Sequence, residues 1–237
     1  MKLTKQIYCL IFFVFFSGLA SANVMVYPMS LTMNDVNLSK NQFKVYSKSD
    51  KVQYLNIYTK QVLNPATPQE KEVPVSILSG TGIIASPQKI ILPPGGEHAV
   101  RLRTLSSPSK EQLYRVYVEP VAADSDEDQV VTKEGGSVGI SLTWGVLVYS
   151  KPQTPEVELS IDIKNKIIEN KGNIHTWIKD ISMCSGTTPD TCKKIMIGKS
   201  VFPGFSLQMP KETAHVKSVV VNYQTQDSDL KSKRWDF

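Results

Sequence analysis

The sequence predicts an all-β protein made of two immunoglobulin-like β-sandwich domains. After the first 22 residues, apolar side chains recur at every second position in short runs, and no stretch keeps the i, i+3, i+4 spacing of an amphipathic helix. Turn-forming residues separate these runs, as they do in sandwiches. Pro152 and Pro155 then interrupt the rhythm, which is typical of a stiff linker. We therefore expect one domain over 23–151 and a second over 152–237.

Residues 1–22 have the pattern of a secretory signal peptide. Lys2 and Lys5 precede an unbroken apolar run from Ile7 to Phe16, and small residues follow it up to Ala22. A membrane anchor would need about 20 apolar residues, so we expect cleavage after Ala22 and export. The formal charge of the chain is +5, and the two lysines of this segment contribute to it. Such a small positive balance indicates neither nucleic-acid nor membrane binding.

The first domain contains about seven predicted strands, the number typical of an immunoglobulin-like sandwich. The runs before the last strand lie at 24–27, 43–46, 52–60, 73–78, on either side of the proline- and glycine-rich turn 93–96, and at 114–120. The segment 123–136 is acidic, contains glycines and has almost nothing to bury, so we predict a mobile loop there.

The last strand of this domain, 137–149, is long, uncharged and apolar on one face. Its alternating apolar residues are Val138, Ile140, Leu142, Trp144, Val146 and Val148. It is about twice as long as the ~5–6 residues of a typical strand. At a sheet edge it could bind a partner by strand addition. In the centre of a sandwich it would be buried on both sides, and the pattern alone allows either.

The second domain contains about six short predicted strands, a smaller β domain than the first. They lie at 157–163, 166–169, 173–181, 194–197, 201–207 and 218–223. Cys184 and Cys192 are the two cysteines after the signal peptide, and an even pair in an exported protein predicts a disulfide rather than free thiols. Two sulfurs without neighbouring histidines cannot complete a metal site. The tail after Asp227 is polar, and its Trp235 either docks or extends into solvent.

No pattern in the sequence indicates catalysis, so we do not expect an enzyme. His98, His175 and His215 are isolated from one another and from other ligand residues. Motifs for a nucleophile, a zinc site or a phosphate-binding loop are missing from the sequence. The acidic run 123–136 lacks the spacing of a calcium loop. We therefore expect no metal and no cofactor.

Seven phrases occur in order along the chain after residue 22. They are VMVYP (24–28), VYSKS (45–49), QYLNIYTK (53–60), SPQKIILP (86–93), VRL (100–102), YRVY (114–117) and the long alternating strand that leads to Pro152. Together they resemble the periplasmic fimbrial chaperones of the chaperone–usher pathway, and most closely the alternate branch that serves class 5 fimbriae. The phrases are dense in the first domain and thinner in the second.

The resemblance implies two immunoglobulin-like domains set in an L with a cleft between them. It implies that the chaperone lends the long strand to fimbrial major and minor subunits, which lack their own final strand, until an outer-membrane usher exchanges it. Val138, Ile140 and Leu142 match the pocket-filling positions. Trp144, Val146 and Val148 would continue that subunit-binding face or enter the chaperone's own core. An exposed edge of this kind also predicts self-association of the free chaperone.

Many members of this family place two basic residues in the cleft to anchor the subunit's C-terminal carboxylate, one on the first strand and one late in the donor strand. Here 24–33 and 147–149 contain no lysine or arginine. We expect Arg115 and Lys151 to serve instead, and the other nearby cations are Lys133 and Arg101. The alternative function is a fimbrial structural subunit or adhesin, which would carry an N-terminal donor segment ahead of an incomplete domain.

Overall fold

The computed structural model describes residues 23–33, 38–76, 80–121, 142–210, 216–226 and 229–237. These ranges contain seventeen β-strands and two short 3-10 turns, at Leu38–Lys40 and Pro189–Thr191. The predicted all-β class is therefore confirmed. In the described part of the chain, no helix has the length and apolar character needed to cross a membrane. The predicted signal peptide and the predicted acidic loop 123–136 lie outside the described residues.

Ten strands form the first pair of sheets. They are β1 Val24–Tyr27, β2 Ser30–Thr32, β3 Gln42–Ser47, β4 Gln53–Leu63, β5 Lys71–Pro74, β6 Ile83–Ser86, β7 Lys89–Leu92, β8 Glu97–Thr104, β9 Gln112–Val121 and β10 Trp144–Ser150. One sheet has the order β1-β3-β8-β6. The other has the order β2-β10-β9-β4-β5, and β7 also pairs with β4.

The period-2 pattern of these strands buries one face of each sheet in a shared core. Phe43 and Val45 of β3 enter it from the first sheet, and Val116 and Val118 of β9 enter it from the second. Each of these four side chains is at most 1% exposed. Burying a side chain of this size contributes about 1.5–3 kcal/mol, so the alternation read from the sequence is what holds the two sheets together.

The N-terminal segment takes part in both sheets. β1 pairs with β3 and ends at Tyr27, immediately before Pro28, as the sequence predicts. The chain then crosses to the other sheet, where β2 runs parallel to β10. The sequence did not predict β2, because the strand has three residues and Leu31 alone among them is buried.

Seven strands form the second pair of sheets. They are β11 Leu159–Asp162, β12 Ile167–Asn170, β13 Thr176–Cys184, β14 Cys192–Val201, β15 Ser206–Gln208, β16 Ser218–Gln224 and β17 Lys231–Asp236. The sheet orders are β11-β12-β15 and β14-β13-β16-β17. Their core centres on fully buried aliphatic residues, among them Ile168, Ile178, Ile181, Val219 and Val221. Pro152 and Pro155 lie between the two pairs of sheets.

The polar tail forms β17, which the sequence did not predict. It pairs with β16 along its whole length, from Ser218 opposite Asp236 to Tyr223 opposite Lys231. Trp235 docks against the second core. Lys233 Nζ lies 4.9 Å from the centre of the Trp235 ring and donates to the Leu159 carbonyl at 3.1 Å. One partly buried aromatic ring among charged residues is too little for a period-2 pattern to reveal.

The predicted disulfide between Cys184 and Cys192 is confirmed. The two cysteines lie opposite each other in the pairing of β13 with β14. The bond therefore joins the end of β13 to the start of β14 across the turn that links them.

Replacing both cysteines with alanine should lower the free energy of unfolding of the second domain by about 2–3 kcal/mol, because a short closed loop no longer limits the unfolded chain. Urea unfolding of the variant beside the wild type, with and without reductant, measures the loss. An unchanged wild-type midpoint after reduction would contradict this prediction.

Because the Tyr114 phenol is buried, we expect the protein to lose stability at alkaline pH. Its side chain is 1% exposed, its hydroxyl donates to Gln112, and burial raises its pKa from the ordinary 10.0 to about 12. The stabilisation is complete below pH 10 and disappears as the pH rises toward 12, because the unfolded chain loses this proton first. Two pKa units correspond to about 2–3 kcal/mol. Chemical denaturation at pH 8 to 12 should show this decrease, and a Tyr114→Phe variant should show a smaller one.

Candidate partner-binding site

The two edges of β10 are paired to different extents. One edge pairs with β9 from Trp144 to Ser150. The other pairs with β2 only from Leu147 to Tyr149, where the Leu147 amide donates to the Met29 carbonyl at 2.9 Å. No described strand covers this second edge from Trp144 to Val146. Within the part of the chain that the structure describes, the main-chain groups on this stretch of edge face no other strand, and such groups can pair with an added strand.

The apolar stripe of β10 extends beyond the core that buries it. Val146 and Val148 are 0% exposed inside the first core, and Trp144 packs at its margin partly buried. Leu142, two residues earlier, is 52% exposed. The sequence allowed Val146 and Val148 either to continue the subunit-binding face or to enter the chaperone's own core. In the structure their side chains fill the domain's own core. Val138 and Ile140 lie outside the described residues.

The opposite face of the β10–β9–β4 sheet forms a wall whose residues can be read from the strand register. One row consists of Tyr149, Leu113 and Val62, and the next consists of Leu147, Arg115 and Lys60. A third row consists of Gly145, Tyr117 and Tyr58. The first row packs against Phe202 and Phe205 of the second domain. The wall therefore begins at the domain contact and rises away from it.

A buried polar contact joins the two domains at the base of this wall. Glu111, next to β9, accepts hydrogen bonds at Oε2 from the His175 amide at 2.5 Å and from its ring Nδ1 at 2.6 Å. The Glu111 side chain is 0% exposed, and its Oε1 has no hydrogen-bond partner among the described residues. The His175 ring stacks between Tyr149 and Phe202, at centroid distances of 5.1 and 5.0 Å. This contact fixes the end of β10 to the second domain.

Replacing His175 with alanine should destabilise the protein by about 3 kcal/mol, because it leaves the buried Glu111 carboxylate with one hydrogen bond fewer. The E111Q/H175A double variant should recover part of the loss, since it buries no charge. Urea unfolding measures both changes. His98→Ala, at an exposed histidine of β8, is the control and should stay within about 0.5 kcal/mol of wild type. Equal unfolding midpoints for the His175 and His98 variants would contradict the assignment.

Arg115 lies on the wall one row above the domain contact, and acidic residues hold its guanidinium. It forms a close ion pair with Glu72 of β5 and lies 3.8 Å from Glu70. Burial acts to lower the pKa of Arg115, but the Tyr117 phenol and the Glu72 carboxylate outweigh it and raise the pKa. Gly145 makes room for its stem, because a Cβ there would lie 2.9 Å from Arg115 Cδ.

Glu72 is the centre of this group, and the sequence did not reveal it. The Tyr117 hydroxyl lies 2.7 Å from both oxygens of the Glu72 carboxylate, and Lys60 Nζ lies 3.7 Å from Oε2. Burial raises the pKa of Tyr117, and the hydrogen bond to Glu72 raises it further. The phenol therefore remains a donor well above neutral pH. The pairing of β5 with β4 places Glu72 beside Arg115 and Tyr117, and no local sequence motif predicts such a long-range contact.

The other predicted cations are distributed elsewhere. Lys151 directly follows β10 and is half-buried. Arg101 is exposed on β8 in the opposite sheet, so it does not belong to the wall. Lys133 lies outside the described residues. Of the four cations considered from the sequence, Arg115 is the one that the structure places on the wall above the domain contact.

Comparison with known proteins places this architecture in a class. No protein-family model matches the chain. A curated protein from Escherichia coli, named as a CFA/I fimbrial subunit, is 37% identical over 189 residues, which span 78% of each chain. The crystal structure of the class 5 fimbriae chaperone CfaA superposes with a TM-score of 0.77 at 31% identity, covering 90% of this chain and 98% of that one.

A second solved structure, described as a chaperone–tip adhesin complex of CFA/I fimbriae biogenesis, contains a chain that superposes with a TM-score of 0.76 at 30% identity. It covers 90% of this chain and 98% of that chain. The fold and these relatives define a two-domain β-sandwich chaperone of the chaperone–usher pathway. Within that class, the chain belongs to the family of class 5 fimbrial chaperones.

Proposed function

We propose that this protein is a periplasmic chaperone that holds fimbrial subunits by lending them the strand segment ahead of β10. The observation that supports this most is the position of Leu142, which continues the core-facing stripe of β10 and is 52% exposed. Directly beside it lies the edge of β10 at Trp144–Val146, which no described strand covers. A strand of the fimbrial partner pairs with this edge, while alternate side chains of the chaperone's donor segment fill pockets in the partner.

The expected strength of the interaction suits a temporary complex. Val138, Ile140 and Leu142 are the proposed pocket-filling residues, and burying each is worth about 1.5–3 kcal/mol. Ordering the segment on binding subtracts from that sum. A fimbrial partner would thus be held firmly but would still yield to a donor strand that fits better. The activity consists of binding alone and needs neither a catalytic residue nor a cofactor.

The proposed partners are major and minor fimbrial subunits and, at release, an outer-membrane usher. The solved relative in a complex with a tip adhesin supports fimbrial subunits as partners. The predicted signal peptide 1–22 supports a periplasmic location. The edge of β10 that no described strand covers also supports self-association of the free chaperone. The alternative role, as a structural component of the fimbria, is less well supported, because the chain superposes on 98% of the CfaA chaperone structure.

We retain Arg115 and Lys151 as the proposed anchor for the C-terminal carboxylate of a bound fimbrial protein. The position of Arg115 on the wall above the domain contact supports its role. Lys151 follows the donor strand directly, at the start of the segment between the two pairs of sheets.

Replacing Leu142 with glutamate should leave the chaperone folded and reduce the amount of fimbrial subunit that co-purifies from periplasm by at least about tenfold. The side chain is exposed, so stability should change by about 0.5 kcal/mol or less. A charge placed in an apolar pocket of the partner, in contrast, costs well over the 1.4 kcal/mol that corresponds to a factor of about ten. Quantitative mass spectrometry of the purified complex and thermal melting measure the two effects.

The matched control is Leu230→Glu, which places the same charge at a leucine that is 46% exposed in the second domain. Recovery of the fimbrial partner with this variant should equal that of the wild type. Wild-type recovery with the Leu142 variant would remove the basis for the proposed donor segment.

A further inference from the structure

Glu72 and the three charged residues around it form an electrically balanced group. Lys60 and Arg115 supply two positive charges, and Glu70 and Glu72 supply two negative ones. The group is only partly open to solvent, with side-chain exposures of 30% for Arg115 and 19% for Glu72. The structure therefore leaves no net positive charge here for another carboxylate.

Three side chains converge on the Glu72 carboxylate. The Arg115 guanidinium and the Tyr117 hydroxyl donate hydrogen bonds to it, and the Lys60 ammonium forms an ion pair with it at 3.7 Å. All three come from β4 and β9, the strands in the middle of the sheet, which are held on both sides. Charge-assisted hydrogen bonds of this kind are the strongest way to hold a carboxylate in a protein. The three side chains around the carboxylate therefore extend from strands that are paired on both sides.

The carboxylate itself comes from a less firmly held element. β5 has four residues, ends at Pro74 and lies at the edge of the order β2-β10-β9-β4-β5. Its pairing with β4 covers Lys71 to Pro74 only. The Glu72 side chain therefore extends from a strand that, among the described strands, is paired on one side only.

We propose that Arg115, Tyr117 and Lys60 form a carboxylate-binding site that Glu72 occupies in the free chaperone and leaves when a partner's carboxylate arrives. This inference rests on the proposed function, because it needs a fimbrial partner docked against the wall. Exchange of one carboxylate for another keeps the group neutral. Adding a third carboxylate beside those of Glu70 and Glu72 would place an unbalanced negative charge in a partly buried site, which is unfavourable.

Arg115 then contributes less to binding than a free guanidinium would. The net free energy that a partner's carboxylate contributes to binding is the energy of its own contacts minus that of the contacts Glu72 gives up. This net contribution is smaller than the full strength of an ion pair. Glu72 acts as a built-in competitor, which weakens binding of any chain that does not present a carboxylate at this point. The competing contact consequently favours selectivity over affinity.

The test is Glu72→Gln, which keeps the shape of the side chain and removes its charge. Binding of the fimbrial protein that co-purifies with the wild type should become about tenfold tighter, a change of about 1.4 kcal/mol. The affinity should also fall more steeply with salt than in the wild type, because the site then carries a net positive charge. Adding Arg115→Ala to E72Q should abolish the gain.

The matched control is Glu97→Gln, which removes a carboxylate paired with Lys44 at 2.7 Å on the opposite sheet. It should leave the affinity for the fimbrial partner unchanged. Affinity equal to or weaker than the wild type for E72Q, measured where circular dichroism shows both proteins folded, would overturn the proposal. If the wild type captures the fimbrial partner while E72Q gains nothing, this inference alone fails. If the wild type captures none, the proposed function fails first.

A second comparison identifies the source of the carboxylate. A fimbrial partner whose C-terminus is extended by a short glycine–serine tail has its terminal carboxylate moved away from the wall. If the gain from E72Q disappears with this partner, the ligand is the chain terminus. If the gain persists, the ligand is an aspartate or glutamate side chain of the partner.

Discussion

Most of the architecture depends on how β10 is hydrogen-bonded. Its pairing with β9 is continuous from Trp144 to Ser150, whereas its pairing with β2 begins only at Leu147. The same strand thus serves the domain's own core at Val146 and Val148, while no described strand pairs with its second edge from Trp144 to Val146. A sandwich that covered both edges of β10 completely would be equally well packed, but it would offer no main-chain groups to another polypeptide.

The domain contact depends on the same two strands. Tyr149 at the end of β10 stacks on His175, and Glu111 immediately before β9 holds the His175 amide and ring. Because the second domain is attached where these strands end, its position is tied to the strand that carries the proposed donor segment. The wall with Arg115 lies between these two features, within one continuous sheet.

Local sequence pattern predicted much of the fold, since alternation and turn residues act over a few positions. It identified β1, the pair of strands around the turn 93–96, and the cysteine pair of β13 and β14. It missed β2 and β17, which are too short or too polar for a period-2 signal. It also missed Glu72 and Glu111, because their partners come from distant strands. The resemblance to a family supplied what pattern could not, a proposed role for the apolar residues ahead of β10.

The crossing of the N-terminal segment from β1 to β2 has a consequence for the donor segment. β2 can begin only after the chain has passed from one sheet to the other, so the point of crossing decides how much of β10 is covered. The point where the N-terminal segment crosses therefore sets how many residues of β10 are left uncovered by β2. A relative that crossed two residues earlier would leave two fewer residues of β10 for main-chain pairing with a partner, with no change in the donor sequence itself.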